Sequence, residues 1–408
     1  MIYNIKDKLP FGKNILFSLQ LMLSVFTATV LICQICGVDV SAGLIGAGLS
    51  TLTYLVVTKF NSPMVISNSG AYVAPVIAAL AVGGYTGVMV GGIVSFIIYT
   101  IFGIVFTKIP VDKIYKVFPK VLIGSVTVVI GINLMSFIPS YIGDTGVVGV
   151  CIALVTVLAI ALSSHYLKGI WSLFPFLIGT LIGYVVSIPF GLVDFSVFNG
   201  VKLIEVPTFA FTQFSSINWA AIASITILFV AFTISAMMEC LSDHAALGNI
   251  IGVDLYEKPG LGRIFIGEGV ANLFTSFFGG LGACSYGEGI ATVGFSKCGS
   301  IYATIGAAIM MILIGFVGPV KAFIQSIPGC VIGGGTAMVL YGFIANSGIK
   351  VLQKIDFSNQ KNLIICSVVL SLGISGVALG GATIALSGTA LALVVGIVLN
   401  LILKEKKS

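Results

Sequence analysis

Runs of about twenty apolar residues recur along the whole chain, and each is long enough to cross a hydrocarbon core of about 30 Å as a helix. Read as spans, they predict fourteen membrane elements. Those of the first half lie near 14–36, 40–58, 69–82, 84–107, 118–137, 146–164 and 168–188. Those of the second half lie near 219–240, 262–281, 286–296, 300–317, 324–345, 360–378 and 383–403. The elements at 69–82 and 286–296 are short. The longest stretch between spans, 189–218, mixes polar and apolar residues and carries Asp194, Lys202 and Glu205.

Composition agrees with this pattern. Hydrophobic residues make up 58% of the 408 and charged residues only 8%, with a mean hydropathy of +1.16. A soluble domain has roughly a quarter of its residues charged, so the chain reads as an all-α polytopic protein of the lipid bilayer. The start, "MIYNIKDKLPFGKN", is short, polar and basic and leads into a full span, so no cleavable signal peptide is expected.

The twenty basic residues are distributed unevenly. Lys6, Lys8 and Lys13 precede the first span and Lys404, Lys406 and Lys407 follow the last. Lys59, Lys108, Lys113, Lys116, Lys120, Lys168, Lys258, Arg263, Lys297, Lys350, Lys354 and Lys361 follow even-numbered spans. Only Lys202 and Lys321 fall on the other side, so eighteen of twenty mark one face as cytoplasmic. Both termini are then cytoplasmic, in the plasma membrane. The net charge of +6 is accounted for by these loops and points to no nucleic acid. The eight cysteines sit mostly within apolar blocks, without a disulfide framework or zinc spacing, and Cys33-x-x-Cys36 reads as small apolar filler. No phosphate-binding loop is present, and no cofactor is expected.

A faint repeat runs through the two halves. "FPKVLIGSVTVVIG" and "IPGCVIGGGTAMVLYG" each begin a span, setting Pro119 and Gly124 against Pro328 and Gly333. The short "SNSGAYVAP" has its counterpart in "CSYGEGIAT". With seven spans in each half, the second copy inserts upside down, which predicts two inverted repeats whose broken segments 3 and 10 point to a transport site.

Four acidic residues cannot be assigned to loops or span ends: Glu239, Asp243, Glu268 and Glu288. An ionised side chain at membrane depth costs several kcal/mol unless it is partnered. Glu239 and Asp243 are spaced i and i+4 in "AMMECLSDHAAL" and share one helix face. Two buried carboxylates a turn apart resist ionising together, so the pair can hold or release a proton near neutral pH. His244 lies about 100° round the helix from Asp243 and is expected to face a neighbouring helix. Glu288 lies between Gly287 and Gly289, residues that let backbone approach a ligand closely. Two short segments meeting head to head would aim their helix N-termini at one central point. Glu268, in "FIGEGVANLF", is expected near a cytoplasmic end close to Arg263, with a structural role as well supported as a functional one. His165 is expected in an interfacial loop, and Trp171 and Trp219 at span edges as anchors.

These residues carry a resemblance. "EVPTFAFTQFSSINWAAI", "MMECLSDHAALGNIIGVDLYEKPGLGR", "YGEGIA" and "VLYGFIANSGIK" resemble the nucleobase–cation symporter-2 (nucleobase/ascorbate transporter) family in its uracil permease-like branch. "FSLQLMLSVFTATVL" and "GYTGVMVGGIVSFIIYTIFG" extend the likeness, which runs from about residue 14 to 403 and is most specific at 239–263 and 286–290. The resemblance implies a core domain of segments 1–4 and 8–11 (residues 14–108 and 219–317) and a gate domain of segments 5–7 and 12–14 (118–188 and 318–403). It places substrate-contacting carboxylates at Glu239 and Glu288, backbone contacts at Gly287 and around Gly70 and Ala71, and lining residues at Tyr286 and Tyr341. Asp243 stands where some members carry a coupling histidine, and His244 beside it is set out of line with that position. The proton-coupling set is thus drawn from Asp243, Glu239 and His244. Gly289 replaces a frequent Asn, Gly70 replaces an aromatic residue, and Ser296-Lys297 replaces Thr-Arg. These departures bear on the choice of base more than on the transport class. Relatives often pair through gate-domain helices, so a homodimer is implied.

The expected function is proton-coupled import of uracil. Uracil alternates N–H and C=O groups along one edge, which a carboxylate and freed backbone N–H groups can read. In the purine branch of the family Gln commonly stands at the position of Glu288. A xanthine, urate or other purine permease is the alternative within the family. An inorganic-anion transporter of the same fold would want a basic or neutral centre. An intramembrane enzyme would need a nucleophile–base set or metal cluster, and a passive channel would not accumulate substrate.

Overall fold

Residues 1–107, 119–136, 138–168, 171, 175–217, 219–381 and 384–403 are described by the computed structural model of the chain. Lys108, Lys113, Lys116, Lys404, Lys406 and Lys407, used above to orient the chain, lie outside the described residues.

Local sequence signals set the helix ends. α1 (Phe11–Cys36) stops at Gly37, whose left-handed φ of 68° lets its N–H reach the Gln34 carbonyl. α2 (Val40–Val57) starts at Asp39, which accepts from the N–H groups of Ser41 and Ala42. The strand β1 (Ile66–Asn68) leads through a 3-10 turn at Gly70–Tyr72 into α3 (Val73–Phe106). α3 is broken at Gly84, whose φ of 54° and ψ of −151° only glycine adopts readily, so the third and fourth sequence elements are separate pieces. There follow α4 (Lys120–Met135), α5 (Ile138–Ile142), α6 (Gly146–Tyr166) and α7 (Pro175–Ser187).

α8 (Trp219–Ile251) is one continuous helix, eleven residues longer than its apolar run, and the His244 ring in that extension finds partners inside the protein. α9 (Leu261–Gly279) then leads to β2 (Ala283–Ser285), α10 (Gly287–Ser296), α11 (Ile301–Gly315) and α12 (Gly318–Ser326). The predicted span at 324–345 is bent: α12 and the helical segment from Cys330 meet at 71°, on either side of Pro328, before α13 (Ala337–Leu352). α14 (Gln360–Ile374) and α15 (Gly388–Ile402) flank an antiparallel pair, β3 (Ala378–Gly381) and β4 (Ile384–Ser387). The last helix thus begins five residues later than its apolar run.

Among the described residues, five helices are long and apolar enough to span a membrane, or six if the bent pair is one span. Outward-facing apolar side chains recur at helical spacing. Ile93, Ile97, Ile101 and Ile104 on α3, and Leu154, Leu158 and Leu162 on α6, are exposed. Such stripes suit contact with lipid. Inside, α9 packs on α2 and α3, while α11 packs on α1 and α2 and α8 on α3. A second set groups α4 with α13 and α14, α14 with α15, and α6 with α7. Within both sets glycines permit close approach: a Cβ at Gly131 would lie 2.4 Å from the Ala345 nitrogen, and one at Gly46 3.1 Å from that of Gly279.

Two ends of the bundle are tied by loops. At one, Lys6 Nζ donates to the Phe60 carbonyl at 2.5 Å and the Ile2 N–H to that of Lys297 at 2.8 Å. At the other, Lys321 pairs with Asp39 at 2.8 Å, and the Ile204 and Val317 backbones bridge.

Candidate functional site

A three-residue strand is an unusual object in a bundle of this kind, since unpaired backbone at membrane depth costs several kcal/mol per group. Here β1 and β2 pair antiparallel, Ile66 with Ser285, Ser67 with Cys284 and Asn68 with Ala283. Their outer edges are satisfied by side chains from flanking helices. Thr51 Oγ1 of α2 donates to the Ile66 carbonyl at 2.7 Å and accepts from its N–H at 3.1 Å. Asn272 of α9 does the same for Ala283, Nδ2 donating to the carbonyl at 2.7 Å and Oδ1 accepting from the N–H at 2.9 Å. Glu268 Oε1 accepts from the Ser285 N–H at 3.0 Å. Thr29 and Ser67 hydroxyls meet at 2.6 Å, tying the pair to α1.

This ribbon sets the start of two helices. β1 ends at Ser69, whose side chain accepts from the Ala71 N–H, and the 3-10 turn at Gly70 follows. β2 ends at Tyr286, and α10 starts at Gly287 with Glu288 in its first turn. The first N–H groups of a helix lack intrahelical partners and carry its positive dipole end, which favours a carboxylate or a ligand carbonyl there.

The structure places the sequence-predicted residues as follows, with Tyr341 on a helix that packs mainly on α4. Tyr286 and Ala71 are buried, and Gly70 is partly so. A Cβ on Gly287 would meet nothing within 4 Å, so open space lies beside it. Glu288 and Glu239 keep partial exposure amid buried neighbours, and the two carboxylates are close enough to interact electrostatically. α8 packs directly on α10, which brings them together. Asp243 lies within the field of Glu239 and beside the Ser285 hydroxyl, and its Oδ2 has no hydrogen-bond partner among the described residues. Tyr341 of α13 is buried with its hydroxyl unpartnered among the described residues, and Gly342 next to it faces open space.

His244 turns away from this group. Its Nε2 lies 2.5 Å from the Tyr54 hydroxyl of α2 and its Nδ1 2.8 Å from the Cys240 carbonyl oxygen. Glu268 is the larger surprise, because it is fully buried against β2 rather than near Arg263 at a helix end. Its i, i+4 spacing with Asn272 in "GEGVAN" was the available signal, two polar residues on one face of an apolar block.

The family described as the permease family matches residues 12–381. The uracil permease of Bacillus caldolyticus is 34% identical over 98% of this chain and 94% of its own length. That of Escherichia coli (strain K12) is 32% identical over 98% and 93%. Among solved structures, the transmembrane domain of a cyanobacterium bicarbonate transporter, BicA, superposes with a TM-score of 0.66 at 15% identity, covering 98% of this chain and 100% of that one. Murine solute carrier 26 family member A9, an anion transporter in the inward-facing state, gives 0.67 at 13% identity over 98% and 69%. These two likenesses are of fold.

Proposed function

The chain belongs to this permease family, that of the nucleobase–cation symporters, and from that premise we propose that it imports uracil together with a proton. It is a multi-pass membrane transporter, not an enzyme. The observation that carries the reading is the pair of half-buried carboxylates, Glu239 and Glu288, beside the open space at Gly287 where α10 begins. Carboxylates accept from the N–H groups of a pyrimidine, while the first N–H groups of α10 and of the turn at Gly70 donate to its carbonyls. Tyr286, Ala71 and Tyr341 complete the lining. The acidic centre favours a neutral base over an inorganic anion.

In this reading the chain has fourteen segments in two inverted repeats, with both termini in the cytoplasm of a plasma-membrane protein. Residues 14–108 and 219–317 form the core domain, and 118–188 and 318–403 form the gate. Glu239 and Asp243 carry the proton between them. His244, held between Tyr54 and Cys240, is left out of the coupling set. Protonation and substrate together remove the buried charge that would oppose movement of the core past the gate. The test is competition of radiolabelled uracil uptake by free bases. Uracil should compete best; stronger competition by xanthine or urate would turn the assignment to a purine permease.

The Lys321–Asp39 ion pair joins gate to core at the face opposite the N-terminus. It must part when that face opens. Removing it should favour the open state by about 0.5–1 kcal/mol, a roughly two- to fivefold change in the equilibrium. Cys36, buried at the end of α1 near this pair, reports the change. In a Cys151→Ser background, which lacks the exposed thiol, Lys321→Gln should label with a membrane-impermeant maleimide roughly two to five times faster than the same protein with Lys321, with Cys36→Ser removing the signal. Equal rates would show that the ion pair does not hold this face closed.

A further inference from the structure

Three potential metal ligands converge against β2, with Asp243 close by across Ser285. Cys240 and His244 share one face of α8 at i and i+4, and Glu268 reaches across from α9. One ligand atom from each lies within 4.8 Å of the others, and all three residues are buried. Cys240 Sγ and His244 Nδ1 are 3.5 Å apart. Two such ligands on a tetrahedral zinc ion, with bonds of about 2.3 and 2.0–2.1 Å, would stand roughly 3.5–3.6 Å apart.

The surroundings orient each ligand as metal sites require. Glu268 Oε1 is held by the Ser285 N–H, while Oε2 has no hydrogen-bond partner among the described residues. The Tyr54 hydroxyl donates to Ser62 Oγ at 2.9 Å, which leaves its oxygen free to accept from His244 Nε2–H. In the structure Nδ1, 2.8 Å from the Cys240 carbonyl oxygen, donates the ring proton to it; with that proton moved to Nε2, where the Tyr54 oxygen accepts it, the Nδ1 lone pair is freed for a metal and the second shell of the ligand is in place. A thiolate and a carboxylate balance a divalent charge, so the filled site is neutral in the apolar interior. Access is at hand: a cavity of about 370 Å³ at the end of α8 is lined by His244, Asn249, Tyr256 and Asp254, the last a carboxylate that attracts cations.

We propose that Cys240, His244 and Glu268 bind a thiophilic divalent cation of the zinc class, reached through the cavity at the end of α8. On binding, the Cys240 S–H bond breaks and its proton leaves to solvent as the metal–sulfur bond forms; the His244 ring proton passes from Nδ1, where it bonds the Cys240 carbonyl, to Nε2, where the Tyr54 oxygen accepts it, and Nδ1 takes the ion. No oxidation state changes. The ion would clamp α8 to α9 and, through Glu268, to β2. Its three ligands are none of the proposed substrate contacts, but Ser285 links Glu268 to Asp243, so the test reads metal binding and not transport.

The full-length protein in detergent, titrated with Cd²⁺, should take up one equivalent with a sulfur-to-metal charge-transfer absorbance. Cys240→Ser should abolish the band, and Cys151→Ser, which removes the exposed thiol, should leave it. A wild-type protein without the band, or a Cys240→Ser protein that keeps it, overturns the proposal. If Cys240→Ser cannot be recovered as monodisperse protein, Tyr54→Phe decides. It should weaken Cd²⁺ binding about 10–100-fold by freeing the imidazole, and unchanged affinity overturns the site.

Discussion

Glu239→Gln and Glu288→Gln each abolish uracil accumulation in cells that still make and insert the protein. The two side chains are nearly isosteric with their replacements, so folding is little disturbed. What changes is chemistry: an amide offers a donor where the pyrimidine already presents one, and it holds no exchangeable charge. A hydrogen bond to a charged group contributes about 1.5–3 kcal/mol, roughly a 10- to 150-fold loss of affinity for each carboxylate. At Glu239 the loss also removes one partner of the i, i+4 pair with Asp243, so coupling fails with binding. Accumulation of radiolabelled uracil, normalised to protein in the membrane fraction, checks both variants. Normal accumulation in either would refute the site.

The second large effect is expected at Asn272, which contacts no proposed substrate group. Its amide satisfies both backbone groups of Ala283 at 2.7 and 2.9 Å. Asn272→Ala leaves a donor and an acceptor unpaired in a buried setting, about 1–3 kcal/mol for each. The ribbon that starts α10 then loosens, and Tyr286, Gly287 and Glu288 lose their common frame. The variant should reach the membrane with a lowered unfolding temperature and transport uracil at a small fraction of the wild-type rate. Thr51→Val, which removes the matching contacts at Ile66, should act in the same direction. Wild-type transport by Asn272→Ala would show that the ribbon does not set the site.

The apolar helical character of the chain was legible because lipid imposes long apolar blocks, and the carboxylates at 239, 243 and 288 stood out because charge is scarce within such blocks. The short element 286–296 matched α10 at Gly287–Ser296 almost to the residue. The ribbon was hidden. A three-residue strand has no periodicity to read, and Ile66 meets Ser285 across more than two hundred positions of chain. Glu268 was read through its nearest charge in sequence, Arg263, whereas its partner is the Ser285 backbone on another element. Thr51 gave no signal because neutral polar residues are ordinary in membrane helices, and Asn272 stood out only through its i, i+4 spacing from Glu268. α8 outran its apolar block for a related reason, since the His244 ring, polar in sequence, is satisfied inside by Tyr54 and Cys240.

The central claim is that the carboxylates gathered at the start of α10 bind the base and move a proton with it. Purified protein in liposomes loaded with a pH-sensitive dye tests this directly. Adding uracil outside should acidify the lumen for wild type, and Glu288→Gln should give no response. Uracil entering wild-type vesicles without acidification, and unaffected by a protonophore, would contradict it.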